Sequence, residues 1–354
     1  AISDRFAELT DIIPWGFVNM RYWSHMATWL LPILPLALMV GPFVKNKKWQ
    51  WSINFAAGMW WWMVFMTTSR GTLVSLGLAV LLVFVLYGKA LVPWAKLFFK
   101  FIVFGGVVWV LFSVVIPSIV FEAVTIRSIH SGSSGRLPLW WEAWSMSLVD
   151  FPWGLGPQSW ITHELISDQN QLPIRFGHPH SMYLMWAAEY GWIMVAVLSI
   201  FAVHVLRRLV IKAKQLGGQP PASQASLIAF SVSVIAGLAH AGLSAVFIVP
   251  ASMLVGLCIL GIFWALVMVR NSSESTLRER KSGLVSRRML PLFLVLPVLV
   301  GGGCWAKEVW EYHQAMEKDL IIYEQGPNAA YFPRFWFHGN FPREEHQSGP
   351  AFAE

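Results

Sequence analysis

Eight hydrophobic segments alternate with polar ones along the chain, and each is long enough, or nearly so, to cross a membrane as a helix. They cover residues 24–42, 52–68, 72–87, 102–119, 181–205, 226–247, 251–269 and 289–304. One polar stretch, 119–191, is far longer than the other connections, and its many tryptophans argue against disorder. The pattern predicts an all-α membrane protein, a multispan helical bundle with one large loop.

The same pattern divides the chain into five predicted parts. These are a periplasmic segment at 1–23, transmembrane helices 1–4 within 24–119, a periplasmic catalytic loop at 120–180, transmembrane helices 5–8 within 181–304, and a polar C-terminal tail at 305–354.

Composition supports membrane insertion and excludes several other classes of protein. Of the 354 residues, 56% are hydrophobic and 13% are charged, whereas soluble domains have about 45–50% apolar and about 25% charged residues. The 21 tryptophans fit a protein with two membrane interfaces. The two cysteines, Cys258 and Cys304, lie in or beside apolar segments and predict neither a disulfide framework nor a zinc site.

The distribution of basic residues predicts the orientation of the chain. The connections 43–51, 88–101, 206–225 and 270–288 hold 16 of the 26 Lys and Arg residues, and simple alternation puts them all on one side. By the positive-inside rule that side is cytoplasmic, so 119–180 is periplasmic. This bias also accounts for the net charge of +7, and no nucleic-acid partner is predicted.

The predicted periplasmic side carries no lysine up to residue 180, only arginines. These are Arg5, Arg21, Arg70, Arg127, Arg136 and Arg175. Guanidinium groups make planar, bidentate contacts with phosphate that an ammonium group cannot make. The alternative for each arginine alone is simple anchoring at the membrane interface.

Histidines and one carboxylate complete the candidate chemistry. His180 lies where the loop meets the fifth span, and a neutral imidazole there can act as a general base; the alternative is an interfacial histidine satisfied by the backbone. His178, His180 and His163 match no firm metal-binding spacing, so no metal and no cofactor is predicted. Glu189 lies in or near a span, where acids usually face a cavity or a partner.

Four motifs in this order resemble the O-antigen ligase and polymerase superfamily. They are Ser69-Arg70-Gly71, Ser134-Gly-Arg136 followed by Leu139-Trp140, Pro152-Trp-Gly154-Leu-Gly156-Pro157, and His178-Pro-His180-Ser181. The ligase pattern of His-Ser, nine residues and then Gly is matched by His180-Ser181 and Gly191. Two positions depart from the ligase patterns. The last position of the Arg-x-x-x-Leu motif is Trp140 here instead of Leu, and Met194 stands where the pattern has a small residue after Gly191.

The resemblance implies a GT-C-type inner-membrane glycosyltransferase whose active site faces the periplasm. Such enzymes move a glycan from undecaprenyl diphosphate to an acceptor hydroxyl without a metal. The expected acceptor is lipid A core, as in O-antigen ligases; pilin oligosaccharyltransferases and O-antigen polymerases of the same superfamily use protein or glycan acceptors. Family members have further N-terminal spans, so a truncated copy is expected.

The expected catalytic residues are His180 as the base and Arg136 and Arg70 as diphosphate ligands. The expected substrate-binding residues are Arg21, Arg127, Arg175, Ser134, His178 and Glu189. A non-enzymatic alternative is a transporter of polyprenyl-linked glycans, which would use the arginines as a binding vestibule and would place its substrate near the membrane midplane.

Overall fold

The computed structural model describes residues 21–120, 136–167 and 177–268, together with the single positions 300, 303, 307 and 310. The chain divides into two compact units, one of Ala1–Pro173 with His178–Met268 and the other of Ile174–Gly177 with Val269–Glu354. Every helix discussed below belongs to the first unit. Most of the predicted last span and all of the tail beyond residue 310 lie outside the described residues.

Eleven α-helices and no strand are found in the described ranges. They are α1 Arg21–Leu30, α2 Leu36–Met39, α3 Lys47–Met66, α4 Arg70–Tyr87, α5 Val92–Val110, α6 Ile116–Val120, α7 Arg136–Val149, α8 Ser159–Thr162, α9 Met182–Lys214, α10 Pro221–Ala241 and α11 Pro250–Met268. A 3₁₀ turn at Gly88–Leu91 joins α4 to α5, and a π-helical turn at Leu111–Val115 joins α5 to α6.

Among the described residues, four stretches are long and apolar enough to cross a membrane. They are Arg70–Val120, Met182–Lys214, Pro221–Ala241 and Pro250–Met268. The first of them contains α4 and α5, which run in opposite directions because the chain turns back at Gly88, where φ is 54°. The prediction of an all-α membrane protein is confirmed; its division into five parts stays a prediction.

Part of the predicted periplasmic loop is a helix rather than irregular chain. In α7, Leu139, Ala143 and Met146 follow helical spacing and are buried against Trp160 and Ala188. An apolar stripe of this spacing stabilises a helix when a neighbour covers it, and here α9 provides most of that cover. This part of the loop therefore packs on the N-terminal end of α9.

The larger core is packed around Trp29 of α1, whose side chain is fully buried. A Cβ atom on Gly237 of α10 would lie 2.2 Å from the indole ring, and one on Gly256 of α11 would lie 2.9 Å from it. Small residues let membrane helices approach closely, and here they make room for the indole. The packing brings α1, α10 and the start of α4 together.

Helix α9 is kinked at Gly191, the glycine of the His-Ser motif. Its φ is 80°, a left-handed conformation that residues with a Cβ rarely adopt. The kink frees the carbonyls of Ala188 and Glu189, which accept hydrogen bonds from the amides of Leu155 (2.8 Å) and Gly156 (2.9 Å). The glycine-rich turn at 152–157 thus supplies the backbone donors that the kinked helix requires.

Replacing Gly191 by alanine is expected to destabilise the protein by about 2 kcal/mol or more. A Cβ atom there would lie 2.1 Å from the Pro152 carbonyl oxygen, in addition to the strain of the positive φ. Thermal unfolding in detergent measures the effect. Gly261→Ala is the matched control, because a Cβ atom on that helical glycine meets nothing within 4 Å; equal melting temperatures for the two variants would contradict the prediction.

Candidate functional site

Arg70 and Arg136 begin two different helices, α4 and α7, yet their guanidinium groups lie close enough to repel each other. Burial, and next the positive charge of Arg70, lower the pKa of Arg136 below its ordinary value. A guanidinium group stays charged under such conditions, and no described residue forms an ion pair with Arg136. An anion bound between the two arginines would relieve this repulsion.

The two motif histidines form a tight turn that immediately precedes α9. The backbone N–H of His180 donates to Nδ1 of His178 over 3.1 Å, and the two rings meet edge to face with centroids 4.4 Å apart. His180 has a φ of 57°. A left-handed residue other than glycine persists only where its surroundings hold it, and such residues concentrate at functional sites.

His180 lies just outside the helix that follows it. Helix α9 begins at Met182, and Ser181 is extended with a φ of −147°. The side chain of His178, rather than a helical turn, holds the backbone of His180.

A second pair of histidines lies beside the first, and sequence analysis missed it. His25 of α1 and His240 of α10 are buried, with ring centroids 5.1 Å apart. His25 is close enough to His178 and His180 to interact with them electrostatically, and His240 interacts in the same way with Arg136. These interactions link the predicted arginines and histidines into one group.

Hydroxyl groups connect this buried pair to the start of α4. Thr28 donates to the Ser24 carbonyl (2.9 Å) and contacts Nδ1 of His240 (2.8 Å). The Ser24 hydroxyl donates to Ser69, the residue immediately before Arg70 (2.9 Å). Helix α1 and the histidine of α10 thereby support the backbone that carries Arg70.

The hydroxyl of Thr28 is shared among three neighbours. Its oxygen lies 2.9 Å from the Ser24 carbonyl, 3.3 Å from the Thr72 hydroxyl and 2.8 Å from Nδ1 of His240. On the other side of the ring, a Cβ atom on Gly71 would lie 2.9 Å from Nε2, so the imidazole of His240 lies next to the residue that follows Arg70.

His240→Phe is expected to lower the melting temperature, because it removes the hydrogen bond between the imidazole and the Thr28 hydroxyl inside the bundle. The loss of stability should be about 1 kcal/mol. His240→Asn should restore most of it, since the Asn side chain can form a hydrogen bond from the Nδ1 position. Melting in detergent is the readout, and an unaltered melting temperature of the His240→Phe protein would rule out a supporting role.

Two buried carboxylates hold the loop instead of facing open space. Oε1 of Glu189 accepts from the Trp160 amide (3.1 Å). The two oxygens of Glu142 accept from the amides of Ile166 and Ser167, each over 2.8 Å. Glu142 was not singled out from the sequence, and the predicted substrate contact of Glu189 stays a prediction.

Arg70 also lies at an apolar cavity of about 890 Å³ between α4 and the end of α5. We refer to it as the upper cavity. Its walls include Val64, Leu73, Val107 and Val110, and Arg70 and Thr68 are the polar residues that line it. It offers an extended apolar surface that ends at a positive charge.

Other predicted site residues fall outside what the structure describes. Arg127, Ser134 and Arg175 lie outside the described residues, as does the side chain of Arg21. In the described part of the chain no three metal-ligating side chains come together. The prediction of chemistry without a metal or cofactor stays a prediction.

The fold and these residues define a membrane protein with arginines and histidines grouped near the end of an apolar cavity. Residues 55–199 match the family model described as O-antigen ligase. This match is consistent with the O-antigen ligase and polymerase superfamily, whose members are glycosyltransferase-like membrane enzymes. No curated protein and no solved structure shows significant similarity to the chain. The matched region contains Arg70, Arg136, His178, His180 and Glu189, whereas His25 and His240 lie outside it.

Proposed function

We propose that the protein is an inner-membrane glycosyltransferase that moves a glycan from undecaprenyl diphosphate to an acceptor hydroxyl on the periplasmic face, with lipid A core as the acceptor. The observation that carries the proposal is the proximity of Arg136 to Arg70, which lines the upper cavity. A polyprenyl diphosphate has a matching form, a long apolar chain that ends in a dianionic group.

In the proposed reaction, His180 removes the proton from the acceptor hydroxyl as its oxygen attacks the anomeric carbon of the first sugar. The bond from that carbon to the diphosphate oxygen breaks, and undecaprenyl diphosphate leaves with the electron pair. Arg136 and Arg70 stabilise the charge that develops on the leaving oxygen, which is usually the largest catalytic contribution. His180 then releases its proton to water.

His178 has a positioning role in this proposal. Its Nδ1 accepts the backbone N–H of His180, so it keeps His180 in the left-handed conformation from which the ring reaches the acceptor. His25 and His240 act one layer further from the reaction, on the backbone before Arg70 and beneath the His178–His180 turn. The remaining predicted arginines, with Ser134, would bind the sugar–diphosphate region.

The orientation in the membrane rests on the distribution of lysines and on the motifs. Lysine-rich connections alternate with lysine-free ones, and this supports a periplasmic position for 119–180. The upper cavity opens near Arg70, on the same predicted side. A donor held there would have its diphosphate at the periplasmic surface.

The proposal is tested with purified protein, a lipid-linked glycan donor and three separate acceptors: lipid A core, pilin and free repeat units. Transfer to lipid A core in detergent, without any ion gradient, is the expected result. Transfer only to pilin or only to repeat units would assign the oligosaccharyltransferase or polymerase activity instead. Movement of the donor across sealed vesicles without transfer to any acceptor would favour the transporter.

A further inference from the structure

Helices α4 and α5 are neighbours in the chain but make almost no direct contact. Helix α4 packs mainly on α10, and α5 packs mainly on α3. A space between two adjacent membrane helices is filled by lipid, because a void in the hydrocarbon layer loses dispersion contacts on all sides. The upper cavity occupies the end of this space near Arg70.

A second cavity of about 560 Å³ occupies the opposite end, and we refer to it as the lower cavity. Gly77, Leu81 and Phe84 of α4 line it at helical spacing, and Ala95, Lys96 and Phe99 of α5 face them. Lys96 is exposed and is the charged residue among those that line this cavity.

The position of Lys96 gives this end of the cavity an electrostatic preference. Lys96 belongs to the connection 88–101, which the charge distribution places on the cytoplasmic side. The cytoplasmic leaflet carries anionic lipids, and basic pockets between membrane helices on that side bind their headgroups. An ammonium group at the mouth of an apolar cleft matches a phosphate that is attached to an acyl chain.

We propose that the lower cavity binds one anionic phospholipid, with an acyl chain between α4 and α5 and its phosphate on the Lys96 ammonium. The site is separate from the proposed donor site, since the upper cavity has its own volume and its own cation at the opposite end of α4. Binding at the lower cavity requires no glycan transfer, so the inference stands or falls independently of the proposed function.

Gly77 provides a direct way to close the site. A Cβ atom there meets nothing within 4 Å, and Gly77 lines the lower cavity, so the side chain of Gly77→Leu should occupy the cavity. Alanine and leucine are also better helix formers than glycine, so the variant should fold. Lys96→Gln removes the charge while it keeps the cavity open.

The experiment uses the full-length protein in phosphatidylcholine vesicles that contain a trace of lipid with a photoreactive acyl chain. Phosphatidylglycerol should label the lower cavity about fivefold more than photoreactive phosphatidylcholine, as one lysine–phosphate contact at a membrane surface predicts. Lys96→Gln should abolish this preference. Lys100→Gln, an exposed lysine one turn further along α5 and outside the cavity, should retain it, and Gly77→Leu should suppress labelling by both lipids.

Three results would overturn the proposal. They are equal labelling by the two phospholipids, an equal loss of preference in the Lys96 and Lys100 variants, and labelling of the lower cavity by a photoreactive polyprenyl diphosphate in preference to phosphatidylglycerol. The last result would make the two cavities a single groove for the donor chain.

Discussion

Replacing Arg136 by alanine is expected to lower glycan transfer by about 10²–10³-fold, the usual effect of removing one donor that stabilises a developing negative charge. Arg70→Ala should have an effect of similar size, because the two guanidinium groups share one anion in the proposed site. Folding should survive both changes, since Arg70 is exposed and Arg136 is half-buried.

Arg136→Lys separates charge from geometry. Lysine keeps the positive charge but cannot form the paired, planar contacts of a guanidinium group, so it should restore little activity. Arg207→Ala is the matched control, because this exposed arginine lies near the C-terminal end of α9, whereas the histidines precede its N-terminal end. Initial rates with a lipid-linked donor provide the measurement, and near wild-type turnover of Arg136→Lys would show that bidentate contact with the diphosphate is not required.

Replacing His180 by alanine is expected to lower transfer by about 10²–10⁴-fold, the usual contribution of a general base. Binding of the lipid-linked donor should persist, because the arginines and the upper cavity are unchanged. Transfer by the wild-type protein should fall as the pH is lowered through the range in which imidazole takes up a proton, since imidazolium cannot accept a proton from the acceptor hydroxyl. A chelator should have no effect.

His178→Ala provides the comparison that distinguishes the base from its support. Loss of the hydrogen bond to the His180 amide should lower transfer by about fivefold, as expected for one hydrogen bond of about 1 kcal/mol. His178→Asn should restore most activity, because an Asn carbonyl can accept from an amide two residues further along the chain. A fully active His180→Ala variant, or an equal loss for His178→Ala and His180→Ala, would contradict these assignments.

Hydropathy and motif spacing predict the membrane fold and the residues that the structure brings together. Arg70, Arg136 and the His178–His180 turn are far apart in the chain, but they belong to motifs whose order resembles that of a family. His25 and His240 could not be found in this way. Each is a single histidine within an apolar segment, and their meeting depends on how α1 and α10 pack around Trp29.

Local backbone geometry could not be predicted from the sequence either. Proline at 179 favours an extended His178 and gives no sign that His180 adopts a left-handed conformation, which depends on the hydrogen bond to the His178 ring. In the sequence, Glu142 is one of several polar residues in a predicted loop. That its carboxylate accepts hydrogen bonds from two loop amides is evident only from the fold of residues 164–167. The glycine at 191 was recognised by its spacing, but its physical reason is the nearby Pro152 carbonyl.

The kink at Gly191 divides α9 into two parts. One part is long enough to cross the bilayer, and the other supports the histidines. The 33-residue helix is about 50 Å long, whereas a hydrocarbon layer is about 30 Å thick. Residues 192–214 alone provide about 35 Å, so 182–190 are not required for crossing. Hydrophobic mismatch in a thinner or thicker membrane can therefore be absorbed by tilting of 192–214, while 182–190 stay attached to the 150–156 turn and hold the reaction centre at a constant depth.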